Sequence, residues 1–148
     1  MKFHLLAALM TVLLGFGTSC GRRAPEEAVD PRDAIDADYV QLVDDLNSAR
    51  QTELYVQEHW KEKAGTEITW RGKVVDVQSE RGQAKVLVAK AEKPRYNGYN
   101  VILYATDRQQ AGQLKKGEQI RFKGTLQKYS DKRGLVVIQV GSGELLAP

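Results

Sequence analysis

The sequence predicts a mainly β fold, a small five-stranded barrel of β-β-β-α-β-β order preceded by an amphipathic α-helix. Three observations carry this prediction. Glu67–Gln78 (EITWRGKVVDVQ) alternates at period two around an internal glycine. Phe122–Leu126 (FKGTL) repeats its pattern, and both stretches run on to an Arg-Gly turn and an apolar return strand. Ahead of them, Asp33–Lys63 carries apolar residues at three- and four-residue spacing.

The first stretch reads as a half-buried strand. Ile68, Trp70 and Val74 share one face, and Arg71 and Lys73 share the other, which is the strand signal when the residues are β-branched or aromatic. The alternation slips after Val74, which implies either a bulge or a segment covered on both faces. An interior glycine commonly marks a bulge or a tight barrel corner, so Gly72 is read as the structural pivot of this strand. An ordinary edge strand with a stray glycine would show the same letters. The second stretch argues against that. With Gly72 placed over Gly124, WRGKV lies over FKGTL and Arg81-Gly82 falls on Arg133-Gly134. Two similar hairpins are expected, with Gly72 and Gly124 as matched structural glycines.

The remaining elements follow from composition and punctuation. In the helical stretch Leu42, Val43, Leu46, Ala49, Val56 and Trp60 form the apolar stripe. Such a stripe is expected to pack on the barrel rather than form a groove for a partner, and it is placed to close one end of the barrel. Asp36 or Asp38 is placed to cap its start and Gly65 to stop it. Asn47-Ser48 or Gln51-Thr52 is placed to break it in two. After the Ser79–Gly82 turn, Gln83–Ala91 is the second strand, with Ala84, Val86 and Val88 on one face. Glu92–Gly98 is a loop, and Tyr99–Ala105 is a third strand, apolar on both faces as a central strand should be. Thr106–Leu114 reads as a short helix capped by Thr106 or Asp107. Glu118–Tyr129 is the fourth strand and Leu135–Gly141 the fifth, leaving Ser142–Pro148 as a tail.

The N-terminus has its own logic. Lys2 precedes an apolar run, Leu5–Phe16, and small residues follow. This is the layout of a signal peptide, and the run is too short for an ordinary membrane span. The segment ends at Thr18-Ser19-Cys20-Gly21, which resembles the lipobox of bacterial lipoproteins, although Gly17 stands where that family usually has leucine. The resemblance implies that Cys20 is lipidated and anchors the chain, several acyl chains being enough for stable attachment. It further implies the periplasmic face of the outer membrane, because Gly21 rather than an aspartate follows the cysteine. A plainly secreted protein is the alternative. The expected organisation is a signal peptide over 1–19, a tether over 20–32, a helix over 33–65 and a barrel over 66–148.

Charge is divided along the chain. The formal net charge is +3, but residues 21–63 hold 6 Lys+Arg against 11 Asp+Glu, and residues 64–148 hold 15 against 8. A basic barrel follows an acidic segment. The only cysteine is Cys20, which excludes a disulfide within the chain.

Five short strands with a helical link between the third and fourth are the layout of the OB-fold. TWRGKVVDVQ, followed by LKKGEQIRFKGTL and a Val-rich last strand, resembles the tRNA-anticodon-binding-like OB family over roughly residues 50–141. That family includes many bacterial envelope proteins. The resemblance implies a binding module and does not by itself imply RNA binding.

Residues for catalysis are not apparent. A nucleophile–histidine–acid triad needs a placed histidine, and the histidines are His4 and His59. His59 reads as a surface or packing residue, and the adjacent Asp44-Asp45 as solvated. No metal-ligand cluster or phosphate loop is seen. The expectation is therefore no enzyme, no cofactor and no metal. Binding is the better expectation. OB-folds use the face of strands two and three with the loops joining strands one–two and four–five. Those loops carry Arg81, Lys128, Tyr129, Lys132 and Arg133. The sheet adds Arg71, Lys73, Arg121 and Lys123, and the loop after strand two adds Lys93, Arg95, Tyr96 and Tyr99. Cations interleaved with tyrosines suit anionic polymers; a plain solvated barrel surface has the same composition. Three readings follow. The first is a lipid-anchored envelope module binding a protein or another macromolecule. The second is an oligonucleotide-binding protein, permitted by the basic barrel but disfavoured by the scarcity of nucleic acid in a periplasm. The third is a structural envelope lipoprotein without ligand.

Overall fold

The computed structural model describes residues 31–90 and 98–147. Helices α1 (Pro31–Asp45) and α2 (Glu53–Lys63) come first, then strands β1 (Glu67–Glu80), β2 (Gln83–Ala89) and β3 (Val101–Ala105). A short helix, α3 (Arg108–Gly112), leads to β4 (Gln119–Lys132) and β5 (Leu135–Leu146). Cys20, the expected tether and the expected loop residues Lys93, Arg95 and Tyr96 lie outside the described residues.

The strands close into a barrel in the order β1-β2-β3-β5-β4. β3 and β5 run parallel, and the other pairs run antiparallel. A closed five-stranded barrel of this order, with a helix between β3 and β4, is the OB-fold. The two central glycines show how five strands suffice. β1 pairs with β4 over Glu67–Lys73 and with β2 over Lys73–Glu80, so it changes partner beside Gly72. A Cβ at Gly72 would stand 2.3 Å from Val88 Cγ1 and 3.0 Å from the Ala89 carbonyl oxygen. At Gly124 it would stand 2.6 Å from Val140 Cγ1 and 2.7 Å from the Gly141 carbonyl oxygen. Both are points of close backbone approach that admit no side chain. The slip after Val74 is a bulge: the β1–β2 register shifts between Val74 and Asp76.

Trp70, Val74, Val86, Val88, Leu103, Phe122, Ile138 and Val140 fill the barrel. The helices close one end of it. Leu42, Leu46 and Val56 join the same core, and Tyr39 meets Trp70 edge-on with ring centroids 5.1 Å apart. Burial pushes the Tyr39 phenol well above its ordinary pKa. The helical stretch is indeed in two pieces, broken over Leu46–Thr52, and Thr52 caps α2 by accepting from the Tyr55 N–H. α1 starts at Pro31, so Asp36 and Asp38 lie inside the helix and not at its N-cap. Ala49 falls in the break and is exposed, so it leaves the apolar stripe.

The expected tail is a strand. β5 continues to Leu146, pairing Glu144 with Lys123 and Leu146 with Arg121. Gly141-Ser142-Gly143 has the letters of a turn, but it forms a bulge. Ser142 takes a left-handed φ of 49°, and the ladder resumes beyond it.

Candidate functional site

Both hairpins turn on two residues, Arg81-Gly82 between β1 and β2 and Arg133-Gly134 between β4 and β5. In each pair both residues have positive φ, 49° and 82° in the first, 58° and 80° in the second. This is the primed turn whose twist matches paired strands. The echo noted in the sequence is thus a repeated geometry.

Their surroundings differ. The second turn is docked against the N-terminal helices. Asp131 accepts from the Ser48 N–H at 2.7 Å through one oxygen and from the Gly134 N–H at 2.8 Å through the other. Trp60 of α2 lies against Tyr129, with ring centroids 4.9 Å apart. Tyr129 is therefore engaged within the chain, and the Lys132-Arg133 loop is braced by the α1–α2 linker. Asp45 shows why the helices hold this position. It is only 7% exposed. It accepts from Gln41 Nε2 at 3.0 Å and from the Tyr55 hydroxyl at 3.2 Å, and His59 Nε2 lies 3.0 Å from its second oxygen. The imidazole is close enough for an ion pair, but it makes no aligned hydrogen bond through Nε2. Desolvation and then Asp45 raise the Tyr55 phenol pKa. The expectation of a solvated Asp45 is corrected here. The break after α1 folds α2 back, and Tyr55 and His59, four residues apart on one face, close over the carboxylate.

The first turn is open. Beside it lies a polar cleft of about 400 Å³, lined by Glu80, Arg81, Gln83, Tyr104, Gln127, Gln139 and Ser142 among others. Arg81 is exposed and makes no side-chain hydrogen bond or ion pair among the described residues, although its charge acts on neighbouring Glu80. The Tyr104 hydroxyl donates to Glu80 at 3.3 Å, and Lys85 Nζ pairs with Glu80 at 3.0 Å. The Lys85 hydrogen bond, with its charge, holds the Glu80 carboxyl below its usual pKa, and Glu80 in turn raises that of Lys85. Of the cleft's lining the sequence reading singled out Arg81 alone. The missed signal was a polar side chain at an outward position of an otherwise apolar strand: Tyr104 in VILYA and Gln139 in VVIQV.

The other cations named from sequence gather elsewhere. Arg71 on β1 and Arg121 on β4 are cross-strand partners, as are Thr69 and Lys123, and Lys73 and Gln119. These residues share the outer face of the β1–β4 seam. Lys123 pairs with Glu144 at 3.2 Å, whereas Arg71, Lys73 and Arg121 have no side-chain partner among the described residues. Tyr99 is half-buried where the β2–β3 connection rejoins β3. The structure thus separates the predicted set into a basic seam, an open turn and a docked turn. Among the described residues, no tyrosine is interleaved with the seam cations.

No protein-family model matches the chain, and no curated protein matches it in sequence. Similar solved structures do exist. The asparaginyl-tRNA synthetase of Pyrococcus horikoshii matches at 12% identity and a TM-score of 0.40, over 57% of this chain and 20% of the synthetase. The chain thus corresponds to about a fifth of that enzyme. An OBody bound to hen egg-white lysozyme matches at 18% identity and a TM-score of 0.42, over 59% of this chain and 81% of its own. Rim1, a mitochondrial single-stranded DNA binding protein of S. cerevisiae, matches at 12% identity and a TM-score of 0.37, over 55% of this chain and 95% of its own.

Proposed function

We propose that this protein is a non-catalytic, lipid-anchored module of the bacterial cell envelope, of the tRNA-anticodon-binding-like OB family. Its barrel binds a protein or another macromolecule at the cleft beside Arg81. The observation that carries the binding reading is the contrast between the turns. The Arg133-Gly134 turn is tied to the chain's own helices, with a cleft of about 660 Å³ left between helices and hairpin. The Arg81-Gly82 turn is open, and its cleft is lined mostly with uncharged hydrogen-bonding groups beside Arg81 and the Lys85-paired Glu80. Gln83, Gln127, Gln139 and Ser142 offer donors and acceptors, and Arg81 offers one cation.

This chemistry suits a polar segment of a macromolecule better than a phosphate backbone. Nucleic-acid clefts combine several cations with stacking rings. Here Lys85 is neutralised by Glu80, Tyr104 is tied to the same carboxylate, and Tyr129 lies on Trp60. The anchor rests on the residues around Cys20 and on the signal sequence ahead of it.

The anchor is tested by fractionation. Wild type should sediment with the outer membrane, and Cys20→Ser should be released; retention of the variant in the pellet contradicts the anchor. The cleft is tested by a photo-crosslinking residue in place of Gln139 in growing cells. A discrete macromolecular adduct that disappears with Arg81→Glu is expected. Absence of any adduct contradicts the binding reading and favours a purely structural lipoprotein. Saturable binding of a single-stranded oligonucleotide with a steep loss in salt would revive the second reading.

A further inference from the structure

The basic face of the β1–β4 seam lies away from the proposed cleft. The cleft's β1 and β4 residues, Glu80 and Gln127, fall outside the Glu67–Lys73 and Gln119–Thr125 segments that pair in the seam, and none of the seam cations lines it. The seam therefore calls for its own explanation. Arg71 and Arg121 stand directly opposite each other across the strands. Like charges so placed destabilise a sheet. Lys73 extends the array, and none of the three has a side-chain partner among the described residues. The nearest cleft, lined by Gln110, Leu114, Arg121 and Leu146 among others, takes in only one of the three cations. An array of cations that shares no groove and has no aromatic ring among them in the described residues suits an extended anionic surface better than a threaded strand or a small ligand.

We infer that the β1–β4 seam is a contact surface for anionic phospholipid headgroups, through which the barrel lies on the bilayer and turns its Arg81 cleft outward. Charge complementarity names the occupant. The helices are acidic on balance even though Arg50 pairs with Asp44 and Lys61 with Glu58, so an anionic surface repels them on balance while it attracts the seam. The same field that draws the barrel down therefore also selects its orientation. Chain length fits this arrangement. Ten residues, 21–30, separate Cys20 from the start of α1, and they span at most about 35 Å when fully extended. A barrel held that close meets the headgroups at high effective concentration, so a weak contact is enough to orient it. The inference takes its setting from the envelope reading but does not require lipidation.

The test uses the chain without the expected signal peptide, residues 20–148, with Cys20→Ser, and vesicles of phosphatidylcholine with or without about 30% phosphatidylglycerol. The chain should co-sediment with the anionic vesicles, leave the neutral ones in solution, and be released by salt. Arg71→Glu with Arg121→Glu should lower partitioning at least a hundredfold, and Arg71→Gln with Arg121→Gln should lower it less. Both pairs should keep the circular dichroism of the parent, because the side chains project from the sheet. Arg81→Glu, outside the seam, should bind nearly as well as the parent. Equal binding to both vesicle types overturns the inference, as does full retention in the double reversal or an equal loss with Arg81→Glu. A crosslinker at Lys73 that captures protein instead of lipid also overturns it. None of these outcomes touches the crosslinking expected at Gln139, so this inference and the cleft reading can fail separately.

Discussion

In both hairpins, β1–β2 and β4–β5, a strand passes a glycine at a point of close approach, an Arg-Gly pair with positive φ makes the turn, and an apolar strand returns. Around that shared pattern the surroundings diverge. A Cβ added at Gly82 would meet nothing within 4 Å, whereas at Gly134 it would stand 3.1 Å from Asn47 Oδ1 and 3.2 Å from Ala49 Cβ. Local residues write the hairpin, and the tertiary partner decides which hairpin is left to meet other molecules. Asp131 makes the distinction concrete: one carboxylate joins the second turn to the α1–α2 linker. The residue at the matching offset in the first hairpin is Ser79, which has no such partner among the described residues.

The comparison can be broken at its common feature first. Gly72→Val and Gly124→Val should each cost about 3 kcal/mol or more through overpacking, read as a loss in thermal midpoint. Gly124 should be the worse of the two. Its added Cβ meets the Gly141 carbonyl oxygen at 2.7 Å, while that at Gly72 presses mainly on a valine methyl. A melt unchanged from wild type at either position contradicts the pivot role. Next in size, Trp60→Ala should cost about 2 kcal/mol, below the range for a fully buried tryptophan because Trp60 is only partly buried. The loss should fall on the second hairpin, seen as faster amide exchange around Tyr129. Uniform loosening of both hairpins argues against selective bracing.

Much of this architecture was legible because its signals are local. Gly72, Gly124 and the two Arg-Gly pairs announce bends and turns by backbone chemistry alone. The inward residues Trp70, Val86 and Phe122 follow from period two. What the sequence hid depended on distant partners. Gly141-Ser142-Gly143 spells a turn, yet pairing of Glu144 with Lys123 carries the strand onward. Asp45 spells a solvated helix acid, and only the return of α2 brings Tyr55 and His59 onto it. Tyr129 spells an exposed loop aromatic, and Trp60, 69 positions earlier, covers it. The cleft residues Gln83, Gln127 and Gln139 were hidden for the same reason, since three strands have to meet before they line one surface.

Smaller effects sharpen the contrast. Asp131→Ala should cost about 2 kcal/mol, because it removes two charge-assisted hydrogen bonds near the surface. Ser79→Ala should stay within about 0.5 kcal/mol of wild type. Paired denaturation curves check this, and equal costs contradict the account. The smallest effect is in pH. Lys116 holds Asp76 below its ordinary pKa, and Lys85 does the same for Glu80. A carboxyl whose folded pKa is depressed adds stability above its unfolded pKa, and that stability is lost as pH falls through the folded value. The ordinary values for these carboxyls, which stand in for the unfolded chain, are 3.8 and 4.5. Wild type should therefore lose more stability on acidification below about pH 4.5 than Asp76→Asn with Glu80→Gln does. Parallel pH profiles contradict the pairing.

Residue-resolved amide hydrogen exchange on the full chain with Cys20→Ser is the most direct test of the unequal hairpins. The Ser48 and Gly134 amides, both bonded to Asp131, should exchange slowly, and the Gly82 amide in the matching turn should exchange fast. Exchange at one fast rate for all three would contradict the docked second turn, and with it the reason for placing the binding cleft at the first.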